Sequence, residues 1–377
     1  MLTVAHLADL HLDAPFAQFG VDAQRKRQTA IEEALKQALA EAATRDADLL
    51  VIAGDLYEQA TFTQSTAKFL RRLLGEFERP VFVAPGNHDY ISPTSLYATV
   101  SWPSNVHIFQ QEQLEAFSLE DGLTIWGAAH TMPTTHARFL DSFTVGSGGV
   151  HLAVFHGAEE AELIFAHGLE GDDKQKQPYA PFRAEQIAVA GLHHAFVGHI
   201  HTPRDGERHT YPGNPEPLTF GERGELHRGL VIATFDETGR LTGRERIKVA
   251  KSAVSDLSVD LSGCESNSDI RERFTKELAD VSGFVRITLT GEIGVDAEPS
   301  LAELREIALE QLAGVALQAR GLQVAYAIDD IAKQTDTVRG RFVNDVQESE
   351  ELDDELKRRV IVTGLRALAG RPDLAVL

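Results

Sequence analysis

The chain has 377 residues, 43% of them hydrophobic and 25% charged, which are ordinary proportions for a soluble globular protein. A chain of this length has room for roughly two to three domains. Its formal charge of −21 argues against a protein that coats DNA by itself, because affinity for phosphates comes largely from lysine and arginine. The charge does not exclude a nuclease within a complex, where metal ions and a basic partner supply positive charge.

The single cysteine, Cys264, excludes an internal disulfide framework and fits a reducing compartment. Nothing near the start of the chain resembles a signal peptide, because the first apolar residues lead within a few positions to Asp9 and His11. No apolar run approaches the length needed to span a bilayer. We therefore expect a soluble, cytoplasmic protein that does not associate with membranes.

The first part of the chain alternates between strand and helix patterns. We predict strands at Leu2–Leu7, Asp48–Ala53 and Val81–Ala84, separated by helices at Asp22–Arg45 and Thr63–Phe77. The continuous apolar run of the second strand is typical of a strand that is covered on both faces. This alternation indicates right-handed crossovers and a largely parallel sheet, and hence an α/β fold.

The middle of the chain is richer in strands. Further strands are predicted at Val106–Phe109, Leu123–Trp126, Val150–Phe155, Ala195–Val197, Leu230–Phe235 and Arg246–Val249. We place a domain boundary close to Lys251, so that the predicted domains are 1–250, 251–340 and 341–377.

The region beyond the boundary is predicted to be a small α+β domain. Its strands are Phe284–Leu289 and Leu322–Ile328, and a helix begins with a capping-box pattern at Ser300. A final helix is predicted at Glu350–Ala369, stopped by Gly370, Arg371 and Pro372, with one apolar side formed by Leu352, Leu356, Val360 and Leu365. That side has two interpretations, packing within the domain, which is the commoner role, or docking of a partner.

Five segments that follow predicted strands carry potential metal ligands. They are Asp9-Leu10-His11, Gly54-Asp55, Gly86-Asn87-His88-Asp89, His156-Gly157 and Gly198-His199-Ile200-His201. In an open α/β sheet, ligands bind outside the carboxyl ends of the strands, so these segments can converge. Residues two apart in an extended chain share a face, so Asp9 and His11 point the same way. The pair His199 and His201 does the same.

These residues mix nitrogen and oxygen ligands and include no thiolate. Such a set excludes a cysteine-rich structural zinc site and favours manganese, iron or zinc in a catalytic setting. Seven candidate ligands are too many for one tetrahedral ion and fit two ions about 4 Å apart that share a carboxylate. Any one histidine alone would more often be a polar core or surface residue. We give that interpretation to His6, His107, His130, His136, His151, His167, His193, His194, His209 and His227.

The order D-x-H, G-D, G-N-H-D, H-G and G-H-x-H resembles the calcineurin-like metallophosphoesterase superfamily. The opening His6–Asp13 and the loop Tyr211–Pro217 resemble its DNA-repair exonuclease branch, which includes SbcD-like nuclease subunits and YhaO-type proteins. The motifs span residues 9 to 201, and the fold resemblance extends to about residue 250. The resemblance implies an αββα sandwich, followed by a smaller C-terminal α+β capping domain and a terminal helix.

The resemblance also implies roles for individual residues. One ion would be held by Asp9, His11, Asp55 and His201. Asp55 would bridge to a second ion, whose other ligands would be Asn87, His156 and His199. His88 would be the catalytic histidine, which as an imidazolium can stabilise developing charge or protonate the leaving alkoxide. Asp89 would either orient His88 or cap a following helix, and Asp13 would either brace the first loop or be a plain turn residue.

The preferred functional hypothesis is a manganese-dependent phosphodiesterase that acts on DNA in repair, as an exonuclease and endonuclease. The resemblance further implies a coiled-coil ATPase partner of the SbcC type and the formation of homodimers. A second hypothesis is a phosphatase or phosphodiesterase acting on nucleotides or phosphoproteins, against which the domain beyond residue 250 counts. A third is a regulatory subunit of an ATPase complex with an idle metal site, against which the complete ligand set and His88 count.

Overall fold

The structure is a computed structural model that describes residues 1–16, 19–134, 138–146, 148–160, 179–222, 228–297 and 299–370. The predicted polar or surface histidines His136, His167 and His227, and the helix stop at Arg371 and Pro372, lie outside these residues. The chain divides into a first unit, Met1–Val254, and a second unit, Ser255–Leu377. The further division predicted between residues 340 and 341 stays a prediction. Within the described ranges, no helix is long and apolar enough to cross a membrane.

The described part of the first unit contains two six-stranded sheets. Its strands are β1 (Leu2–Leu7), β2 (Leu49–Ile52), β3 (Val81–Val83), β4 (Val106–Ile108), β5 (Glu115–Ser118), β6 (Leu123–Gly127), β7 (Val150–His156), β8 (His194–Gly198), β9 (Arg204–Asp205), β10 (His209–Tyr211), β11 (Gly229–Phe235) and β12 (Leu241–Lys248). Its helices are α1 (Val21–Thr44), α2 (Gln64–Glu76), α3 (Leu96–Thr99) and α4 (Ala184–Val189).

Each sheet contains four neighbouring strands that run parallel to one another. The first sheet has the order β12-β11-β1-β2-β3-β4, in which β1 to β4 run parallel and β11 and β12 are antiparallel. The second has the order β5-β6-β7-β8-β10-β9, with β5 and β9 as the antiparallel edges. The predicted largely parallel α/β arrangement is therefore confirmed for the centres of both sheets.

The two sheets pack face to face and bury a common core. Val4, Val51 and Phe82 of the first sheet join Leu152 and Phe196 of the second in one apolar cluster. Burying each such side chain stabilises the fold by about 1.5–3 kcal/mol. The outer faces are covered too, because α1 contacts β11 and α4 packs into the cluster beneath β7 and β8. This is the expected αββα sandwich, and it explains why every residue of β2 is buried.

The second unit is a smaller α+β structure. Its elements are β13 (Val254–Asp260), α5 (Asn267–Leu278), β14 (Phe284–Ile293), α6 (Leu301–Leu309), β15 (Gly314–Val324), α7 (Ile328–Ala332), α8 (Val338–Gln347) and α9 (Asp354–Leu368). The strands form a sheet of order β13-β14-β15, in which β14 and β15 are parallel and joined through α6. As predicted, Ser300 caps α6, accepting a hydrogen bond from Glu303 N at 3.3 Å.

Two predictions for the second unit are wrong in detail. The strand expected at Leu322–Ile328 is β15, which starts earlier because Gly314 already pairs with Phe284 of β14. The apolar side expected for the last helix is confirmed only at Leu365, which is buried. Leu356 is 41% exposed, and the helix buries Ile361 and Val362 instead. A four-residue step advances about 40° beyond a full turn, so the predicted stripe drifts around the helix instead of facing one way.

Candidate metal centre

The predicted ligands lie where five strands from both sheets end. β1 leads into Asp9 and His11, β2 into Asp55, β3 into Asn87, β7 ends at His156, and β8 leads into His199 and His201. The structure brings two groups of three together, with ligand atoms within 4.8 Å of one another in each. These groups are Asp9, His11 and His201, and Asp9, Asp55 and His156.

Asp55 lies between two of the imidazoles. Its Oδ2 is 3.6 Å from His11 Nε2 and 3.2 Å from His156 Nε2. Its Oδ1 accepts a hydrogen bond from His88 N at 2.9 Å, which leaves Oδ2 directed at both rings. One carboxylate oxygen facing both imidazoles is the arrangement that a bridging ligand requires.

Asn87 and His199 lie beside His156. Asn87 Oδ1 is 3.1 Å from His156 Nε2, and the His199 ring centroid is 5.1 Å from that of His156. His199 N also donates to both oxygens of Asp9, at 2.9 and 3.2 Å. His199 thus ties the loop after β8 to the loop after β1, although its side chain belongs to neither three-residue group.

Hydrogen bonds at Nδ1 orient three of the histidines that are predicted ligands. His156 Nδ1 donates to the carbonyl oxygen of Ala53 at 2.9 Å, while His11 and His201 meet carboxylates at 2.7 and 2.8 Å. In each ring this leaves Nε2 for a cation. Within the described part of the chain, the buried Nε2 atoms of His11 and His201 have no hydrogen-bond partner. Buried imidazole nitrogens beside carboxylates are a donor set that fits divalent metal ions.

Four of the predicted ligands have a strained backbone. Asp9, His11, Asp55 and His199 have φ angles of 55°, 51°, 52° and 101°, in the left-handed region that favours glycine. Such conformations cost on the order of 1–3 kcal/mol each and persist only where surrounding contacts enforce them. Here Asp9 N donates to Gly54 O at 3.0 Å and His11 N to Asp55 O at 2.9 Å, so the loops after β1 and β2 hold each other.

Two glycines allow these loops to approach one another. A Cβ atom on Gly54, where φ is +82°, would lie 2.5 Å from His156 Nδ1, and a Cβ on Gly86 would overlap the Asp55 carboxylate. Because the side chains of His156 and Asp55 occupy that space, a side chain at either glycine would displace a predicted ligand.

The electrostatics of the site favour cations. Burial would raise the pKa of Asp55, but the positive charges of His156, His88 and His11 outweigh it and hold that pKa well below its ordinary value. Burial lowers the pKa of His11, which favours the neutral ligand form. Burial also opposes protonation of His156, yet the neighbouring Asp55 raises the pKa of that imidazole. A metal ion between Asp55 and His156 would take the place of that proton.

The role predicted for Asp89 is corrected by the structure. Its Oδ1 accepts hydrogen bonds from Asp55 N at 3.0 Å and Gly86 N at 2.6 Å, and its Oδ2 accepts from Leu56 N and Tyr97 Oη. Burial and the Asp55 charge raise the pKa of Asp89 to about 6. Asp89 therefore fixes the two loops, and helix α3 is capped by Ser95 instead. The residues of this turn alone did not predict that backbone amides and a tyrosine hydroxyl would donate to both carboxylate oxygens of Asp89.

Glu58 is a site residue that the sequence interpretation missed. Its Oε1 is 2.7 Å from His11 Nδ1, and its Oε2 is 2.9 Å from His88 Nδ1. Burial would raise the pKa of Glu58, but hydrogen bonds to His11 and His88 lower it to about 2, so the group is anionic at neutral pH. The only signal for this role in the sequence is that Glu58 lies three residues after Asp55, a predicted ligand.

The other loop contacts belong to the frame of the site. Asp13 Oδ2 accepts from Thr63 N at 3.0 Å and from the Thr66 hydroxyl at 2.5 Å, so Asp13 ties the loop after β1 to the start of α2. His6 and His194 are fully buried, and their rings lie 5.0 and 5.2 Å from that of Phe196 in the core. The burial of His6 and His194 agrees with the prediction that they are polar core residues.

Residues 2–203 of this chain match the sequence model of the calcineurin-like phosphoesterase family. The match covers more than half of the chain, which therefore belongs to the calcineurin-like phosphoesterase family. The resemblance inferred from the motifs is thus confirmed, and with it a phosphoesterase fold that carries candidate metal ligands.

The chain is also similar to individual proteins of known sequence. The uncharacterized metallophosphoesterase YhaO of Bacillus subtilis is 30% identical over an alignment of 259 residues, and the match covers 62% of this chain and 58% of YhaO. The DNA double-strand break repair protein Mre11 of Methanopyrus kandleri is 28% identical over 304 residues, 72% of this chain and 62% of that protein. The Mre11 of Archaeoglobus fulgidus is 25% identical over 344 residues, covering 82% and 72%. The chain spans about three fifths of the length of the first two relatives.

Proposed function

We propose that this protein is a two-metal phosphodiesterase that cleaves DNA, acting as an exonuclease and endonuclease subunit in DNA repair. The observation that carries the proposal is the position of Asp55, whose Oδ2 faces His11 at 3.6 Å and His156 at 3.2 Å. A carboxylate shared in this way suits two ions about 4 Å apart. The first ion would also use Asp9, His11 and His201, and the second Asn87, His156 and His199.

The relatives support DNA as the substrate. Two of them are named as DNA double-strand break repair proteins. The net charge of −21 opposes phosphate binding by the chain alone, so we propose that the metal ions neutralise the scissile phosphate and that a partner supplies further DNA contacts. The partner we propose is a coiled-coil ATPase of the SbcC type.

Two divalent ions, when bound, activate a water molecule for in-line attack on phosphorus and neutralise charge on the phosphoryl oxygens. The chain itself fixes the ligands, through the Nδ1 hydrogen bonds of His156, His11 and His201. We propose Mn²⁺ as the working ion, with Fe²⁺ or Zn²⁺ as the alternatives, because the ligands are imidazole, carboxylate and amide without thiolate.

His88 is the residue that we assign to the leaving oxygen. Its side chain is 45% exposed at a site whose proposed ligands other than Asn87 are buried, so it is accessible to a substrate. Glu58 holds His88 Nδ1 at 2.9 Å, and this anion favours the imidazolium form. In that form His88 can donate a proton to the leaving alkoxide, while Glu58 acts as a positioning residue for both His88 and His11.

The test is degradation of end-labelled duplex DNA with and without Mn²⁺, beside hydrolysis of a small phosphodiester such as bis(p-nitrophenyl) phosphate. We expect metal-dependent cleavage of both by the wild type and none by Asp55→Asn. The matched control is Asp236→Asn. Asp236 follows the end of β11 that pairs with the start of β1, whereas the predicted site follows the carboxyl end of β1.

Three outcomes would contradict the proposal in different ways. Equal activity of wild type and Asp55→Asn would identify a contaminant as the nuclease. Hydrolysis of the small ester with intact duplex DNA, even with the ATPase present, would remove DNA as the substrate. Failure of the wild type to hydrolyse any phosphodiester with Mn²⁺, Fe²⁺ or Zn²⁺ would remove the enzymatic function.

A further inference from the structure

The loop Tyr211–Pro217 is the one sequence motif to which the proposed chemistry assigns no role. It begins with the last residue of β10 and packs against the backbone of His201. Asn214 N donates to His201 O at 3.3 Å, and a Cβ atom on Gly213, where φ is +72°, would lie 2.6 Å from that same oxygen. The motif therefore contacts the backbone of a predicted metal ligand.

The side chain of Asn214 leads to the ring of His201. Asn214 is fully buried, and its Nδ2 donates to Glu222 Oε2, which also accepts from Leu218 N at 2.7 Å. The other oxygen, Glu222 Oε1, lies 2.8 Å from His201 Nδ1. One carboxylate thus connects the amide of Asn214 with the imidazole of a metal ligand.

Arg228 determines which way the Asn214 amide faces. Arg228 Nη1 donates to Asn214 Oδ1, and a guanidinium has donors only, so the oxygen of the amide must face it. The amide nitrogen must then face Glu222. With the amide fixed in this way, Glu222 Oε1 remains available to accept a hydrogen bond from His201. That hydrogen bond places the proton of the His201 ring on Nδ1. The other ring nitrogen, Nε2, is buried, lies 3.9 Å from Asp9 Oδ1 and faces the predicted metal centre.

From this geometry we infer that Asn214 and Glu222 are positioning residues for the ion bound through His201, acting in the order Arg228, Asn214, Glu222, His201. The inference rests on the proposed metal centre. Carboxylates behind metal-binding imidazoles fix the tautomer and raise ligand basicity, and removing such a partner typically weakens metal affinity by about 10- to 100-fold.

Glu216 anchors the same loop on its far side. It accepts hydrogen bonds from Ser252 N at 3.2 Å and from Lys251 N, and it pairs with the buried Arg27 at 3.3 Å. The alternation in Asn214-Pro215-Glu216 therefore sends one polar side chain towards the metal ligand and the next towards the segment that ends the first unit. The loop is held on both sides, which is what a fixed orientation of Asn214 requires.

The experiment is calorimetric titration of the metal-free full chain with Mn²⁺, comparing wild type with Asn214→Ala and Glu222→Gln. The matched control is Asn105→Ala. The Asn105 side chain is hydrogen-bonded too, to the carbonyl oxygens of Leu74 and Arg79, but it lies at the amino end of the predicted site's strands. We expect wild type and control to bind two ions alike. Both variants should lose about 10- to 100-fold affinity for one ion and keep the other.

A second readout separates positioning from a general loss of stability. Titration with Co²⁺ should show altered visible absorption bands for one of the two ions in both variants, and unchanged bands in the control. Glu222→Gln preserves the size of the side chain, so it decides the matter if Asn214→Ala folds poorly by circular dichroism. Two ions bound with wild-type affinity and spectrum in Glu222→Gln would overturn this inference alone. A wild type that binds no divalent ion would instead overturn the proposed metal centre.

Discussion

The two units contain similar secondary-structure elements but differ in the residues that follow their strands. Both contain parallel strands joined by helices over an apolar core, as in β1 and β2 of the first and β14 and β15 of the second. In the first unit the strands end in buried acids and imidazoles. In the second the polypeptide after β14 and β15 carries no comparable group among the described residues, and its core is apolar, built around residues such as Phe274 and Ile287.

Backbone strain is divided between the units in the same way. All nine described non-glycine residues with positive φ lie in the first unit, and four of them are predicted ligands. The second unit reaches its fold without such residues in its described part. The comparison teaches that parallel strands joined by helices do not by themselves make a candidate site, which depends on the short segments that follow the strands.

The largest effect should come from the exposed histidine of the first unit. We expect His88→Ala to lower kcat for a phosphodiester by about 10²- to 10⁴-fold, because the proton donor is lost, while both ions still bind. Steady-state kinetics with calorimetric metal titration would check this. The matched control is His193→Ala, an imidazole at the amino end of β8 that accepts a hydrogen bond from His151 N. If His88→Ala kept the wild-type kcat, His88 would not be the proton donor to the leaving oxygen.

The second unit should respond in stability rather than in chemistry. Phe274 is fully buried in its core, so Phe274→Ala should destabilise that unit by about 3–5 kcal/mol. We expect an unchanged Mn²⁺ affinity of the first unit at temperatures where the variant remains folded. Denaturant unfolding and metal titration together test the separation, and a parallel loss of metal affinity would show that the units are not independent.

A smaller effect is expected for Glu58→Gln. The substitution keeps the size of the side chain but removes the charge behind His11 and His88, so activity should fall by about 10- to 100-fold. The pH–rate profile is the decisive measurement. Because the anion favours protonated His88, its removal should shift the basic limb of the profile to lower pH, and a profile that only changes in height would contradict this role.

The smallest effect concerns acid stability of the first unit. Burial, reinforced by the charges of His194 and Arg246, lowers the pKa of His6 well below 6.5 in the folded state. The unfolded chain therefore binds this proton first, and stability should fall as pH drops below about 6.5, by up to about 1.4 kcal/mol per pH unit. His6→Leu should show a shallower loss of thermal stability between pH 7 and 5, and an unchanged slope would exclude His6 as a contributor.

The sequence predicted those features that local pattern controls. Strands β1, β2 and β3 were recognisable from apolar runs, and the ligands stand directly after such runs. Glu58 and Glu222 were not recognisable, because their roles depend on side chains that meet across loops, His11 with Glu58 and His201 with Glu222. The edge strands β5 and β9 were missed for the same reason, since pairing with a neighbour defines them more than their own composition does.

The left-handed backbone at Asp55 has a consequence for how such a protein changes over generations. Glycine would relieve about 1–3 kcal/mol of strain at this position, yet it would remove the carboxylate between His11 and His156. Selection for stability and selection for catalysis therefore oppose each other at one residue.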